Sequence, residues 1–89
     1  EKKIPLHVYP NPFGDQLFIN YSQSTDESQI DVSLYNSLGQ RTLQRNYELG
    51  KGQHTLSLNT STLTQGIYHL VVTDEEGKQV NTKIIRVKF

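Results

Sequence analysis

The sequence predicts an all-β fold, an antiparallel sandwich of about seven short strands, and three observations carry that prediction. Residues 63–74, Leu-Thr-Gln-Gly-Ile-Tyr-His-Leu-Val-Val-Thr-Asp, place Tyr68, Leu70 and Val72 on one face. Ile67, His69, Val71 and Thr73 fall on the other, which is the period-2 signature of a strand. Turn signals recur every ~8–12 residues along the whole chain, as in sandwich domains. No stretch sustains a 3.6-residue period, and seven strands leave no room for a helix of ordinary size.

Each element follows from its own pattern. Leu6-His-Val-Tyr9 reads as a short first strand, ended by Pro10-Asn-Pro12. Two prolines fix φ twice and remove two backbone donors, so this segment is extended, at a sheet edge or in a loop. Residues 16–21 alternate with Leu17, Ile19 and Tyr21 on one side and Phe18 on the other. Residues 22–28 carry no apolar side chain and read as a mobile polar link. In the third strand Ile30, Val32 and Leu34 point in, while Asp31, Ser33 and Tyr35 face out. Asn36-Ser-Leu-Gly39 is a turn with Gly39 placed for a positive φ, making residues 29–47 a hairpin. Its returning strand is a weak edge strand in which Arg41 and Arg45 oppose edge-to-edge pairing.

Gly50-Lys-Gly52 turns the chain into a fifth strand, in which His54, Leu56 and Leu58 alternate with Thr55 and Ser57. Gly66 opens the sixth, where a residue without Cβ relieves a conformation other residues resist. The Leu63-x-x-Gly66-x-Tyr68 run looks like a tyrosine corner, in which the phenol ties back to an upstream backbone group. Asp74-Glu-Glu-Gly77 closes a hairpin to the last strand, roughly residues 78–89. There Ile85, Val87 and Phe89 share one face, and Ile84, Arg86 and Lys88 share the other.

Composition narrows the function classes. At 89 residues the chain is one domain; apolar residues with glycine come to about 40%, below the ~45–50% of average globular chains. A thin sandwich with solvated strand faces explains the shortfall. Nine basic residues balance nine acidic ones, so no net field attracts nucleic acid or an anionic membrane. Cysteine is absent, which excludes disulfides, thiol nucleophiles and cysteine–zinc sites. No run approaches the ~20 apolar residues that span a bilayer as a helix. The start Glu1-Lys-Lys has neither Met nor a signal peptide, and the chain reads as a fragment of a longer protein.

No catalytic or cofactor constellation emerges. His7, His54 and His69 stand on separate strands with no carboxylate at a fixed offset, so they read as ordinary strand histidines. A nucleophile elbow and a phosphate-binding glycine loop are both missing. The acid pairs Asp26-Glu27 and Asp74-Glu-Glu76 lie in loops, where turn formation accounts for them. Asn20-Tyr-Ser22 and Asn59-Thr-Ser61 match the glycosylation sequon only incidentally. Tyr9, Phe13 and Phe18 either form a small exposed aromatic cluster or cover one end of the sandwich. A carbohydrate platform, which needs exposed flat aromatics, is the weaker reading. No cofactor is called for.

Four short blocks, taken together, resemble a known family. Val8-Tyr-Pro-Asn-Pro-Phe13 followed by Leu17-x-Ile19, Leu34-Tyr-Asn-Ser-Leu-Gly-Gln40, Leu63-x-x-Gly66-Ile-Tyr68 with Val71, and Lys83-Ile-Ile85 occur in order. They are similar to the motifs of the type A C-terminal sorting domain of the bacterial type IX secretion system (the Por secretion system). The last block departs slightly, because Arg86-Val-Lys-Phe89 runs past the usual ending.

The resemblance implies an immunoglobulin-like sandwich, residues 6–89, joined through a linker, residues 1–5, to an upstream cargo. The cargo would cross the periplasm and reach the cell surface or the medium through the outer-membrane type IX machinery. A sortase-like cysteine peptidase would cut at or before Glu1 and join the cargo to anionic lipopolysaccharide. The domain itself would be non-catalytic. The expected recognition residues are Lys83, Ile84, Ile85, Arg86, Val87, Lys88 and Phe89, together with Pro10, Asn11, Pro12 and Gly39; Gly66 and Tyr68 are structural. The edge of the last strand would either close the sandwich with a solvated face and protective lysines or dock a partner's strand. Deleting residues 84–89 is expected to keep cargo inside the cell. The rival reading is an accessory immunoglobulin-like module of an extracellular enzyme or adhesin that binds glycan or protein.

Overall fold

The computed structural model describes residues 6–23 and 28–87. Seven strands follow in order: β1 Leu6–Tyr9, β2 Gln16–Gln23, β3 Ser28–Asn36, β4 Arg41–Leu49, β5 Gly52–Asn59, β6 Gly66–Thr73 and β7 Gln79–Arg86. They form a three-stranded sheet, β1-β2-β5, and a four-stranded sheet, β4-β3-β6-β7. All strand pairings are antiparallel. The described residues contain no helix. The expected seven-stranded antiparallel sandwich is what the chain adopts.

Alternation decides which side chains meet between the sheets. Leu17, Ile19 and Tyr21 from β2 face Ile30, Val32 and Leu34 from β3 and Tyr68, Leu70 and Val72 from β6, all buried. Leu56, Leu58 and Ile84 complete the same cluster. A buried aliphatic side chain contributes roughly 1.5–3 kcal/mol relative to its exposed state, so this layer supplies most of the driving force. β6 is internal to its sheet, flanked by β3 and β7. β4 and β7 are the sheet's edges, as the arginines of β4 suggested; Arg41 and Arg45 are exposed there.

The corners follow the sequence signals. The Tyr68 hydroxyl donates to the Thr64 carbonyl at 2.6 Å, the tie expected of a tyrosine corner before the second strand of a sandwich sheet. Gly66 sits at φ 151° and Gly39 at φ 84°, backbone regions that a Cβ makes costly. In the β3–β4 turn the Asn36 side chain accepts from the Leu38 and Gln40 amides at 3.0 and 2.9 Å, an Asx-type cap that fixes the loop.

Four expectations are corrected. Ser33 is buried rather than outward-solvated: its hydroxyl donates to Asp31 Oδ2 at 3.2 Å, and Gln44 and Val71 flank it across the sheet. Arg86 does not lie on a solvated face; it is 4% exposed and points into the molecule with Ile84. The last strand begins at Gln79 and ends at Arg86, shorter than its apolar pattern suggested. The polar link also narrows, because β2 continues to Gln23 and β3 begins at Ser28. Its remainder, like Lys88 and Phe89, lies outside the described residues.

Candidate recognition surface

The segment after β1 is not the extended run its prolines suggested: it bends at Asn11 and Pro12, with cis peptide bonds before Pro10 and Pro12, and then lies along the outer edge of β7. Phe13 N–H donates to the Ile85 carbonyl at 2.8 Å, and Val87 N–H donates to the Phe13 carbonyl at 2.9 Å. These bonds form a short parallel bridge between Phe13 and Arg86. The side chain of Asn11 continues it, accepting from Ile85 N–H at 3.0 Å and donating to the Lys83 carbonyl at 3.5 Å. Pro12 has no amide to leave unpaired between them. In an antiparallel edge strand alternate residues turn their backbone groups away from the neighbour. Here those groups belong to Lys83, Ile85 and Val87, and residues 11–13 meet four of them. Among the described residues, none forms such a cover over the half of the edge toward Gln79.

Phe13 itself is completely buried, with its ring edge-on to Tyr68 at 6.1 Å. The aromatic trio therefore splits: Phe13 closes one end of the core, whereas Tyr9 and Phe18 are half-buried on the outer face of the three-stranded sheet.

Arg86 locks the same end from within. Its Nε–H donates to the Thr60 carbonyl at 3.1 Å, one Nη reaches the Val87 carbonyl, and the other pairs with Asp15 Oδ1 at 3.0 Å. Thr60, itself fully buried, donates its hydroxyl to the Gly14 carbonyl at 2.6 Å and its amide to the Asp15 carbonyl at 2.8 Å. Among the described residues every buried side-chain nitrogen and oxygen has a partner. The buried charge is tolerated because carbonyls and a carboxylate surround it.

Register aligns the remaining pieces. Gly66 pairs with Arg86 and Ile67 with Ile85, while Asn36, at the start of the β3–β4 turn, pairs with Tyr68. Reading across one end of the four-stranded sheet, the order is the residue 11–13 strap, β7, β6, and the β3–β4 turn. The three large apolar side chains exposed among the described residues all stand at this end: Leu38 at 80%, Ile67 at 42% and Ile85 at 40%. Lys83, exposed, lies beside them opposite His69.

A family model described as the secretion system C-terminal sorting domain matches residues 7–88. The chain belongs to this family, the type IX sorting domain. No curated protein matches the chain. Members serve as sorting signals on proteins bound for the cell surface or the extracellular space, and the family is in general non-catalytic.

Parts of the sorting domain's four sequence motifs thus meet at one end of the four-stranded sheet: residues 11–13 of the first, the turn at residues 36–40, residues 66–68 and residues 83–85, while Val8, Tyr9, Leu17 and Ile19 of the first motif stand in the three-stranded sheet. Of the expected recognition residues, Pro10, Asn11, Pro12, Gly39, Lys83 and Ile85 are exposed there, and Val87 is half-buried. Ile84 and Arg86 are buried and hold the surface rather than forming it. Sequence reasoning missed Ile67, which alternation opposite Tyr68 places outward. It also missed Asp15 and Thr60, whose roles depend on contacts far apart in sequence. The histidines stay separate: His7 and His69 are on outer faces of different sheets, and His54 Nε2–H donates to the Gly50 carbonyl at 2.8 Å.

Proposed function

We propose that the domain addresses an upstream cargo to the outer-membrane type IX machinery, which reads the folded end carrying Leu38, Gly39, Ile67, Lys83 and Ile85. Pro10, Asn11 and Pro12 flank this patch; Lys88 and Phe89, expected in the same signal, lie outside the described residues. The domain carries no catalytic activity of its own. The cargo travels through the periplasm, and a sortase-like cysteine peptidase releases it upstream of the sandwich and transfers it to anionic surface lipopolysaccharide. The observation that supports this reading is that segments of the four motifs (residues 11–13, the turn around Gly39, residues 66–68 and residues 83–85) meet at the end that also carries the three exposed apolar side chains. Isolated exposed apolar residues are ordinary, but a group of them at a motif-defined site is the mark of an interaction surface.

The test fuses residues 1–89 behind a signal peptide and a fluorescent reporter in a type IX-competent bacterium. Surface signal is compared with a strain lacking the translocon. Expected is translocon-dependent export that falls when Leu38→Asp, Ile67→Lys and Ile85→Lys are combined. Those outward changes leave stability within about ±0.5 kcal/mol each. Equal periplasmic retention in both strains, with the parent domain folded, overturns the proposal.

A further inference from the structure

The outer face of the three-stranded sheet has a different chemistry from the rest of the surface. Charged residues make up 20% of the chain, yet none of the ten outward-facing positions on β1, β2 and β5 carries a charge. β1 and β5 are edge strands, and edges are where charges usually protect against association. In their place stands a chain of rings. The His7 and Tyr9 rings lie 5.3 Å apart, and Tyr9 stacks with Phe18 at 5.6 Å with 25° between the planes.

Next to the rings lies an open groove of about 450 Å³, lined by the outward-facing His7, Asn20, Ser22, Gln53 and Thr55 and by their neighbours Leu6, Tyr21 and His54. That volume falls in the ~300–1,000 Å³ range of small-molecule sites. Asn20 is common to both features. Its Oδ1 accepts from the Tyr9 hydroxyl at 3.3 Å and from Thr55 Oγ1 at 3.0 Å, which holds the carboxamide in place beside the groove. Amide and hydroxyl groups offer donors and acceptors together and no net charge. Aromatic faces are electron-rich and take polarised C–H groups.

We propose that this face binds a neutral oligosaccharide, with a sugar ring on Tyr9 and Phe18 and its hydroxyls met by Asn20, Thr55 and Gln53. An open groove fits internal units of a longer glycan chain better than a single terminal sugar. The absence of Lys and Arg from the ten outward positions argues against an anionic polymer, and the amides and hydroxyls of Asn20, Ser22, Gln53 and Thr55 argue against a wholly apolar protein face. The site is on the sheet opposite the recognition surface and stands independently of the sorting role.

The test records amide NMR spectra of residues 1–89 during titration with maltose, cellobiose, N,N′-diacetylchitobiose and mannobiose, plus a heparin disaccharide as the anionic control. Expected are shifts with at least one neutral sugar, confined to the rows Tyr9–Phe18–Ser57, His7–Asn20–Thr55 and Ser22–Gln53. Tyr9→Ala weakens binding about tenfold, the upper range for an aromatic pair. Asn20→Ala, a smaller change at a hydrogen-bonding position, weakens it too, so the result does not depend on one variant folding. No shifts with any neutral sugar, shifts elsewhere, equal affinity in the variants, or preference for the heparin disaccharide would each overturn the proposal.

Discussion

Replacing Arg86 by Met keeps much of the side chain's length and removes its charge and donors. The Thr60 carbonyl then loses its guanidinium partner in a fully buried setting, and an orphaned buried acceptor costs about 1–3 kcal/mol. The Val87 carbonyl loses one too, but Val87 is only half-buried and water reaches it, so that term is smaller. Asp15 is 79% exposed, which puts its pair with Arg86 nearer the ~0–1 kcal/mol of surface bridges. Removing a desolvated charge returns part of the loss. The net for Arg86→Met is on the order of 2–3 kcal/mol, and for Asp15→Asn below ~1 kcal/mol. A domain of this size holds roughly 4–13 kcal/mol in total. With a urea slope of ~1–2 kcal/mol/M, the Arg86→Met midpoint drops by roughly 1–3 M. Equilibrium urea unfolding followed by circular dichroism reads both variants. If Arg86→Met keeps the parent midpoint, or if Asp15→Asn is equally damaging, the carbonyl cage is not what holds the charge.

Two further outcomes follow from named contacts. Tyr68→Phe removes the hydroxyl that donates to the Thr64 carbonyl and is expected to lower unfolding stability by about 1 kcal/mol; an unchanged thermal midpoint would show the corner tie to be energetically idle. Burial raises the Tyr21 phenol above its ordinary value and the Asp74 carboxylate adds to the effect. A folded-state pKa above the unfolded value leaves stability intact below pH ~10 and erodes it as pH rises past 10 toward the folded pKa. Urea midpoints between pH 9 and 11.5 should fall less steeply for Tyr21→Phe than for the parent, roughly, since one such phenol has been removed.

How much of this was legible in the sequence depends on how far apart the interacting residues are. The strands, the hairpin turns at Gly39 and Gly77, and the Tyr68 corner rest on contacts a few residues away, and local alternation and turn chemistry reveal those. The residue 11–13 strap does not: two prolines restrict the backbone and remove two donors, but nothing local says that the segment bends back against a strand seventy residues on. Arg86 shows the same limit. Alternation placed it with Ile84, and the charge argued for solvent. Only the arrival of the Thr60 and Val87 carbonyls, set by the β5–β6 corner and the chain's own next residue, makes the inward position tolerable. The surface patch was half visible: Ile85 and the turn around Gly39 were in view, while Ile67 was hidden by attention to its neighbour Tyr68.

The strap also changes what a deletion can show. Removing residues 84–89 takes Ile84 and Arg86 out of the core, so lost export after that deletion reports unfolding as readily as lost recognition. Separating the two requires knowing which backbone groups of β7 are free, and amide exchange measures that directly. Ile85 N–H is held by Asn11 and Val87 N–H by Phe13, whereas Lys83 N–H, of the same outward parity, faces the uncovered half of the edge. Slow exchange is expected at Ile85 and Val87 and fast exchange at Lys83 and Asn81. Asn11→Ala should then speed Ile85 by up to about tenfold, the equivalent of one hydrogen bond, while Val87 keeps its protection because Phe13 is untouched. Uniform protection from Asn81 to Val87 would mean the whole edge is covered and would leave side chains as the means of recognition. The expected gradient leaves residues 79–83 as the length of β7 where a partner's strand can add, directly beside the patch formed by Ile67 and Ile85.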